Sequence, residues 1–150
     1  MRITLAFVLS QVFALGVAAQ AGEDAIAKER KLYQGTWKVV AFVVDGNEVA
    51  ESNASKLTFV NKADGSWIVK ADDKEISSGK SDIDPTQKLK TIDFMPTSGV
   101  FSGNEYLGIY ELDKDNRKIC FAEKSKGRPT EFEAPSGSGR FLLKFERVKK

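Results

Sequence analysis

The sequence predicts an all-β protein: an eight-stranded antiparallel up-and-down barrel preceded by a short N-terminal helix. Three observations carry this. From residue 36 onward, short segments rich in Val, Ile, Thr and aromatic residues alternate with Gly, Asp, Asn and Pro turns. Strands do not alternate with helices, which argues against a doubly wound parallel sheet. The two ends of the β-rich region also match. Gly35-Thr36-Trp37 opens the first strand and Phe145-Glu146-Arg147-Val148 closes the last, placing an indole and a guanidinium where closure would bring them together.

The chain has 150 residues, enough for one domain with its own core. Residues 1–21 read as a secretory leader rather than a retained anchor. Arg2 precedes the apolar runs 3–9 and 12–19, Ser10-Gln11 interrupts them, and Ala19-Gln20-Ala21 is a small-x-small cleavage site. The domain is therefore expected to be residues 22–150, periplasmic or secreted, with no membrane attachment after cleavage. Removing the leader takes away only Arg2 and lowers the net charge from +2 to +1. Charges of both signs are interspersed, which argues against nucleic acid as a partner. Cys120 is the only cysteine, so the fold has no internal disulfide, and its place between Ile119 and Phe121 predicts a buried, unreactive thiol.

Residues 23–33 carry acids early and bases late, which suits a helix leaning on the barrel mouth. The eight strands are predicted at 36–44, 56–60, 66–71, 74–78, 88–95, 105–112, 117–122 and 141–148, with a short return strand at 48–50 and an extended piece at 129–132. Asp45-Gly46-Asn47 is a hairpin turn. The longer links are 79–87, 96–104 and 123–139.

Period-two counting places Trp37, Val39, Ala41 and Val43 on one face of the first strand. It places Phe141, Leu143, Phe145 and Arg147 on one face of the last. Arg147 then lies on an apolar side and needs a partner. The Trp37 face would suit its guanidinium, leaving the N–H donors for backbone carbonyls at the barrel floor. Gly35, Trp37 and Arg147 are thus the expected closure set.

This Gly-x-Trp with a terminal arginine resembles the calycin pattern of lipocalins and fatty-acid-binding proteins. A fuller resemblance runs along residues 32–40, Thr91-Ile92-Asp93, Tyr106 to Leu112, Ile119-Cys120-Phe121, Arg128-Pro129-Thr130-Glu131-Phe132 and Gly137-Ser138-Gly139. In that order the motifs are similar to a Planctomycetes uncharacterized-domain family of exported bacterial domains. The resemblance implies a lipocalin-like domain whose role is not established.

Catalytic chemistry finds little support. There is no histidine, which removes imidazole-based triads and metal ligation. No phosphate-binding loop precedes a helix. The acids Asp72-Asp73, Asp82, Asp84, Asp113 and Asp115 fall in turns, where Asp bonds to nearby backbone. Asp113-x-Asp115-Asn116 lacks the glycine and the final acid of a calcium loop. The sequon Asn53-Ala54-Ser55 matters only in a host that glycosylates. An enzyme, a cofactor and a metal are therefore not expected.

Phe59, Trp67, Phe94, Tyr110 and Phe121 could line a pocket for a small apolar ligand or simply fill the barrel. Arg128 and Glu131 are read as a clasp at the rim. The alternative to ligand binding is a solid, monomeric barrel meeting an exported protein partner through its loops.

Overall fold

The computed structural model describes residues 11–150. The apolar run 3–9 of the expected leader lies outside the described residues. Helix α1 spans Gln11–Tyr33 and runs unbroken through Ala21. No helix among the described residues is long and apolar enough to cross a membrane.

The remaining chain forms nine strands: β1 (Gly35–Val44), β2 (Asn47–Glu48), β3 (Leu57–Asn61), β4 (Ser66–Ala71), β5 (Lys74–Asp84), β6 (Thr91–Gly99), β7 (Tyr106–Leu112), β8 (Asn116–Glu123) and β9 (Arg140–Arg147). A one-turn helix α2 (Glu51–Ala54) separates β2 from β3. Every pairing is antiparallel, and β1 pairs with β9 as well as β3, so eight strands close on themselves while β2 is a two-residue appendage of β1. This is the expected lipocalin-like barrel. Closure gives every strand but β2 a neighbour on both sides over at least part of its length.

Helix α1 does not lean on the mouth. Its last turns cross the closed end, where Tyr33 is buried beside Trp37 and Tyr110. Arg30 donates to the Ser81 carbonyl, and Trp37 Nε1 donates to the Tyr33 carbonyl at 3.0 Å. The apolar residues of the last helical turns have a floor to pack on, whereas the mouth is already lined by the barrel's own side chains.

Three strand boundaries differ from the sequence reading. Residues 79–84, expected as loop, continue β5. Their Gly, Ser and Asp composition disfavours β-structure in isolation, but β6 holds them along their whole length, with Ser81 opposite Phe94 and Ile83 opposite Ile92, and β4 pairs with Gly79 and Lys80. The strand expected at 88–95 instead begins at Thr91 and runs to Gly99, through Pro96. Beyond Phe94, β6 is paired on one side only, the position at which a strand tolerates proline. Residues 129–132 are not strand. They belong to a long loop that crosses the outside of the barrel.

The face count for β1 also needs correction. A register shift between Val39 and Ala41 leaves Val40 as an extra residue. Val39 opposes Phe145, but beyond the bulge it is Phe42 that opposes Leu143 and Val44 that opposes Phe141. Ala41 and Val43 therefore leave the inner face. A bulge reverses the side on which every later residue points. The inner face of β9 is as counted.

The barrel's core is aromatic. Trp37 and Val39 are fully buried, and Trp67, Phe94, Tyr106 and Phe145 nearly so. The rings meet mostly edge to face, as in Phe59 on Phe145 (5.0 Å) and Trp67 on Phe94 (6.1 Å). The indole of Trp67 lies across Gly79, where a Cβ would come within 2.7 Å of its ring. Only glycine lets that indole lie against β5.

Candidate functional site

The barrel interior divides into two chemically distinct parts. Toward the mouth is a wholly apolar cavity of about 70 Å³. Phe59, Trp67, Phe94 and Phe121 line it together with Ile119, Leu143 and Phe145. At the mouth, Phe101 from the β6–β7 loop turns back onto Tyr106 (6.0 Å) and Phe141 (6.5 Å). Phe121 stacks on Phe141 at 5.0 Å, so aromatic rings narrow the entrance.

Tyr110, grouped with these residues in the sequence reading, is not part of the cavity lining. It sits at the closed end, edge-on to Tyr33. Its hydroxyl donates to Glu29 Oε1 at 3.1 Å, and Lys90 Nζ donates to the same oxygen at 2.8 Å. Burial, together with the adjoining Glu29 carboxylate, drives the Tyr110 hydroxyl pKa far above its ordinary value and keeps it protonated. The pull of α1 onto the barrel floor outweighed the expected role of Tyr110 as a wall.

The closed end is cationic and aromatic. Arg147 Cζ lies 4.1 Å from the Trp37 ring centre. Its Nε donates to Lys114 O (2.6 Å), Nη1 to Gln34 O (2.8 Å) and Nη2 to Leu32 O (2.5 Å). The Leu32 and Gln34 carbonyls lie at the C-terminus of α1, where a cation complements both the free carbonyls and the helix dipole. Gly35, with φ +122°, lies against the same guanidinium, and a Cβ there would come within 2.8 Å of Arg147 Nη1.

A second arginine, Arg117, occupies this end and is not among the residues singled out from sequence. It is 2% exposed. Its Cζ lies 4.2 Å from the Phe145 ring centre and 4.7 Å from those of Tyr33 and Trp37. Nη1 donates to Asn61 Oδ1 at 2.8 Å, while Nε and Nη2 have no partner. Burial pulls its pKa down to about 10, with Arg147 adding to the effect, so it stays charged at neutral pH. Period-two counting back from Phe121 and Ile119 reaches Arg117. The rule that exposed Arg147 as inward-facing applies equally here.

Arg128 and Glu131 do not form a clasp. Glu131 is exposed, and Arg128 reaches across the barrel wall to Asp93 at 2.7 Å. Its Nη1 also donates to Gly108 O (2.8 Å) and Ile92 O (3.3 Å), so the Asp93 contact is charge pairing rather than an aligned hydrogen bond. Carbonyls of the outer wall and a fixed carboxylate offered Arg128 more than a neighbour three residues away. The loop it anchors seals Cys120, whose thiol faces Glu133 O at 3.5 Å and whose pKa burial raises.

The turn acids behave as turn residues. Asp113 accepts from the backbone N–H groups of Asp115 (2.9 Å) and Asn116 (2.7 Å), and Asp84 from Thr86 N–H and hydroxyl. Comparison with known protein families, curated proteins and solved structures returns no match to this chain.

Proposed function

We propose that this is an exported, lipocalin-like binding module of the family its motifs resemble, and that it holds a small apolar ligand inside the barrel. The observation that carries the reading is the cavity. Its lining is aromatic and aliphatic throughout, so it gains nothing from water and gains dispersion contacts from an apolar occupant. The size restricts the occupant. A volume of about 70 Å³ is well below the roughly 300–1,000 Å³ of drug-sized sites. It suits a group of a few heavy atoms, and larger ligands require Phe101 or Phe141 to swing aside.

Toluene and 1-hexanol, followed by Trp67 fluorescence and by calorimetry, test this. Each has seven heavy atoms and enters with Phe101 or Phe141 displaced, and micromolar to millimolar dissociation constants are expected. Ile119→Phe, which fills the cavity, is expected to abolish uptake. No binding by the folded protein, or equal binding by Ile119→Phe, overturns the reading.

The same small volume favours a second reading, in which the barrel is solid and works through its loops. Val100, 71% exposed on the β6–β7 link, is then the natural contact point. Of the expected link 79–87, residues 79–84 are strand, with Lys80 and Asp82 exposed on its outer face. In this case no apolar molecule alters stability, and Val100→Asp disrupts a specific protein association.

A further inference from the structure

Two charged side chains are buried among the described residues. Glu29 is answered by Lys90 and by the Tyr110 hydroxyl. Arg117 has Asn61 Oδ1 as its one hydrogen-bond acceptor, and no ion pair reaches it among the described residues. Its Nε and Nη2 are unpartnered, and so is the hydroxyl of Tyr33, whose ring lies 4.7 Å from Arg117 Cζ. Arg147 adds a second positive charge nearby, with each of its three nitrogens already bound to a carbonyl.

The closed end therefore combines a desolvated guanidinium with unused hydrogen-bond donors. Aromatic faces offset part of the desolvation of a cation, but they accept no N–H hydrogen bond in the guanidinium plane. A water molecule would satisfy the donors and leave the charge unanswered. An anion does both.

We propose that Arg117 and the Tyr33 hydroxyl form a buried subsite for one monoanionic group, a carboxylate above all. A dianion such as phosphate would bring surplus charge and uncovered oxygens into an aromatic enclosure. The proposal connects to the apolar-ligand reading, and in part rests on it, through Phe145. That residue lines the cavity, and the Arg117 guanidinium lies 4.2 Å from its ring centre; Arg117 and Tyr33 do not themselves line the cavity, so an amphiphile that uses both must displace the Phe145 ring. The monoanionic group has two sources: the carboxylate end of a short amphiphile whose tail occupies the cavity, or a free monoanion such as acetate or chloride.

The test titrates the purified chain with sodium hexanoate and 1-hexanol by calorimetry. In parallel, thermal unfolding is followed in sodium acetate and sodium chloride at an ionic strength fixed with sodium sulfate. Hexanoate is expected to bind about tenfold more tightly than hexanol. Arg117→Met is expected to remove that preference and Tyr33→Phe to weaken it severalfold. If both amphiphiles bind alike and the monoanions leave Tm unchanged, the subsite is overturned while the apolar reading stands. If neither amphiphile binds but acetate raises Tm in the wild type and not in Arg117→Met, the subsite holds a free ion and the apolar reading falls. Tyr33→Phe keeps both ring and charge, so it carries the comparison if Arg117→Met does not fold. A hexanoate preference that persists in every folded variant overturns the proposal.

Discussion

Arg147 lies on the ring of Trp37 and donates to carbonyls of three positions, Leu32, Gln34 and Lys114. One side chain thus ties the end of α1, the start of β1 and the β7–β8 turn to the last strand. Trp37 is fully buried beneath it. Trp37→Ala is expected to lower unfolding free energy by about 3–5 kcal/mol, as large aromatic truncations in cores do. Arg147→Met keeps much of the apolar stem and loses the charged hydrogen bonds, and is expected to lower it by about 2–4 kcal/mol. Guanidinium chloride denaturation measures both. An unchanged midpoint for either variant contradicts the closure role.

Gly35→Ala tests the same closure from the backbone side. Its φ of +122° is a conformation that side chains rarely adopt, and the added Cβ meets Arg147 Nη1. Such strain costs about 1–3 kcal/mol. The double variant with Arg147→Met is expected to recover the part due to the clash and keep the part due to φ. A double-mutant cycle separates the two.

Cys120 is predicted to react with a thiol reagent such as DTNB only after unfolding or opening of the 124–139 loop. The thiol is fully buried, and burial raises its pKa, which disfavours the thiolate. Arg128→Ala removes the loop's bond to Gly108 O and its pairing with Asp93. The reaction is expected to accelerate at least severalfold, with little change in the barrel's far-UV spectrum. Glu131→Ala is expected to leave the rate unchanged, since Glu131 holds nothing closed.

Acid should weaken the fold through three turns. Hydrogen bonds from neighbouring side chains and backbone N–H groups hold the carboxyls of Asp64, Asp84 and Asp113 below their ordinary 3.8. A carboxyl with a depressed folded-state pKa contributes stability that is full above its unfolded pKa and is lost as pH falls through the folded one. Stability at these turns is therefore expected to hold down to about pH 4 and decline below it. Asp84→Asn and Asp113→Asn should flatten that decline. A decline of equal steepness in both variants would place the acid sensitivity elsewhere.

The barrel was legible in the sequence because each strand carries its own pattern and each tight turn its own chemistry. Asp45-Gly46 and Asp72-Asp73 turn the chain where they were expected to, with positive φ at all four residues. The Trp37–Arg147 contact was legible for a different reason: a charge at an inward position of an apolar strand demands a partner. Three things were not legible. The bulge at Val40 leaves no mark in hydrophobic periodicity, because Val39 to Val44 is apolar on both faces. The continuation of β5 depends on its pairing with β6, which overrides the weak propensity of Gly79 to Asp84. Arg128 chose Asp93, a partner 35 positions away, which no local spacing announces. Arg117 belongs to a fourth kind, since its inward position was countable from Phe121 and Ile119 but its isolation from carboxylates appears only in three dimensions.

The meeting of β1 and β9 has a consequence for how the molecule can be held. Trp37 pairs with Arg147, and Val148 N–H bonds to Thr36 O at 2.9 Å, so the first and last strands leave the barrel side by side at its closed end. The hairpin tip at Asp72-Asp73 and the Phe101 loop lie at the opposite end. A surface or bead joined to the C-terminal residues therefore leaves the entrance facing solvent. A cross-link placed at Asp73 stands beside it. Comparing uptake by the two immobilised forms would locate the doorway without a ligand-bound structure.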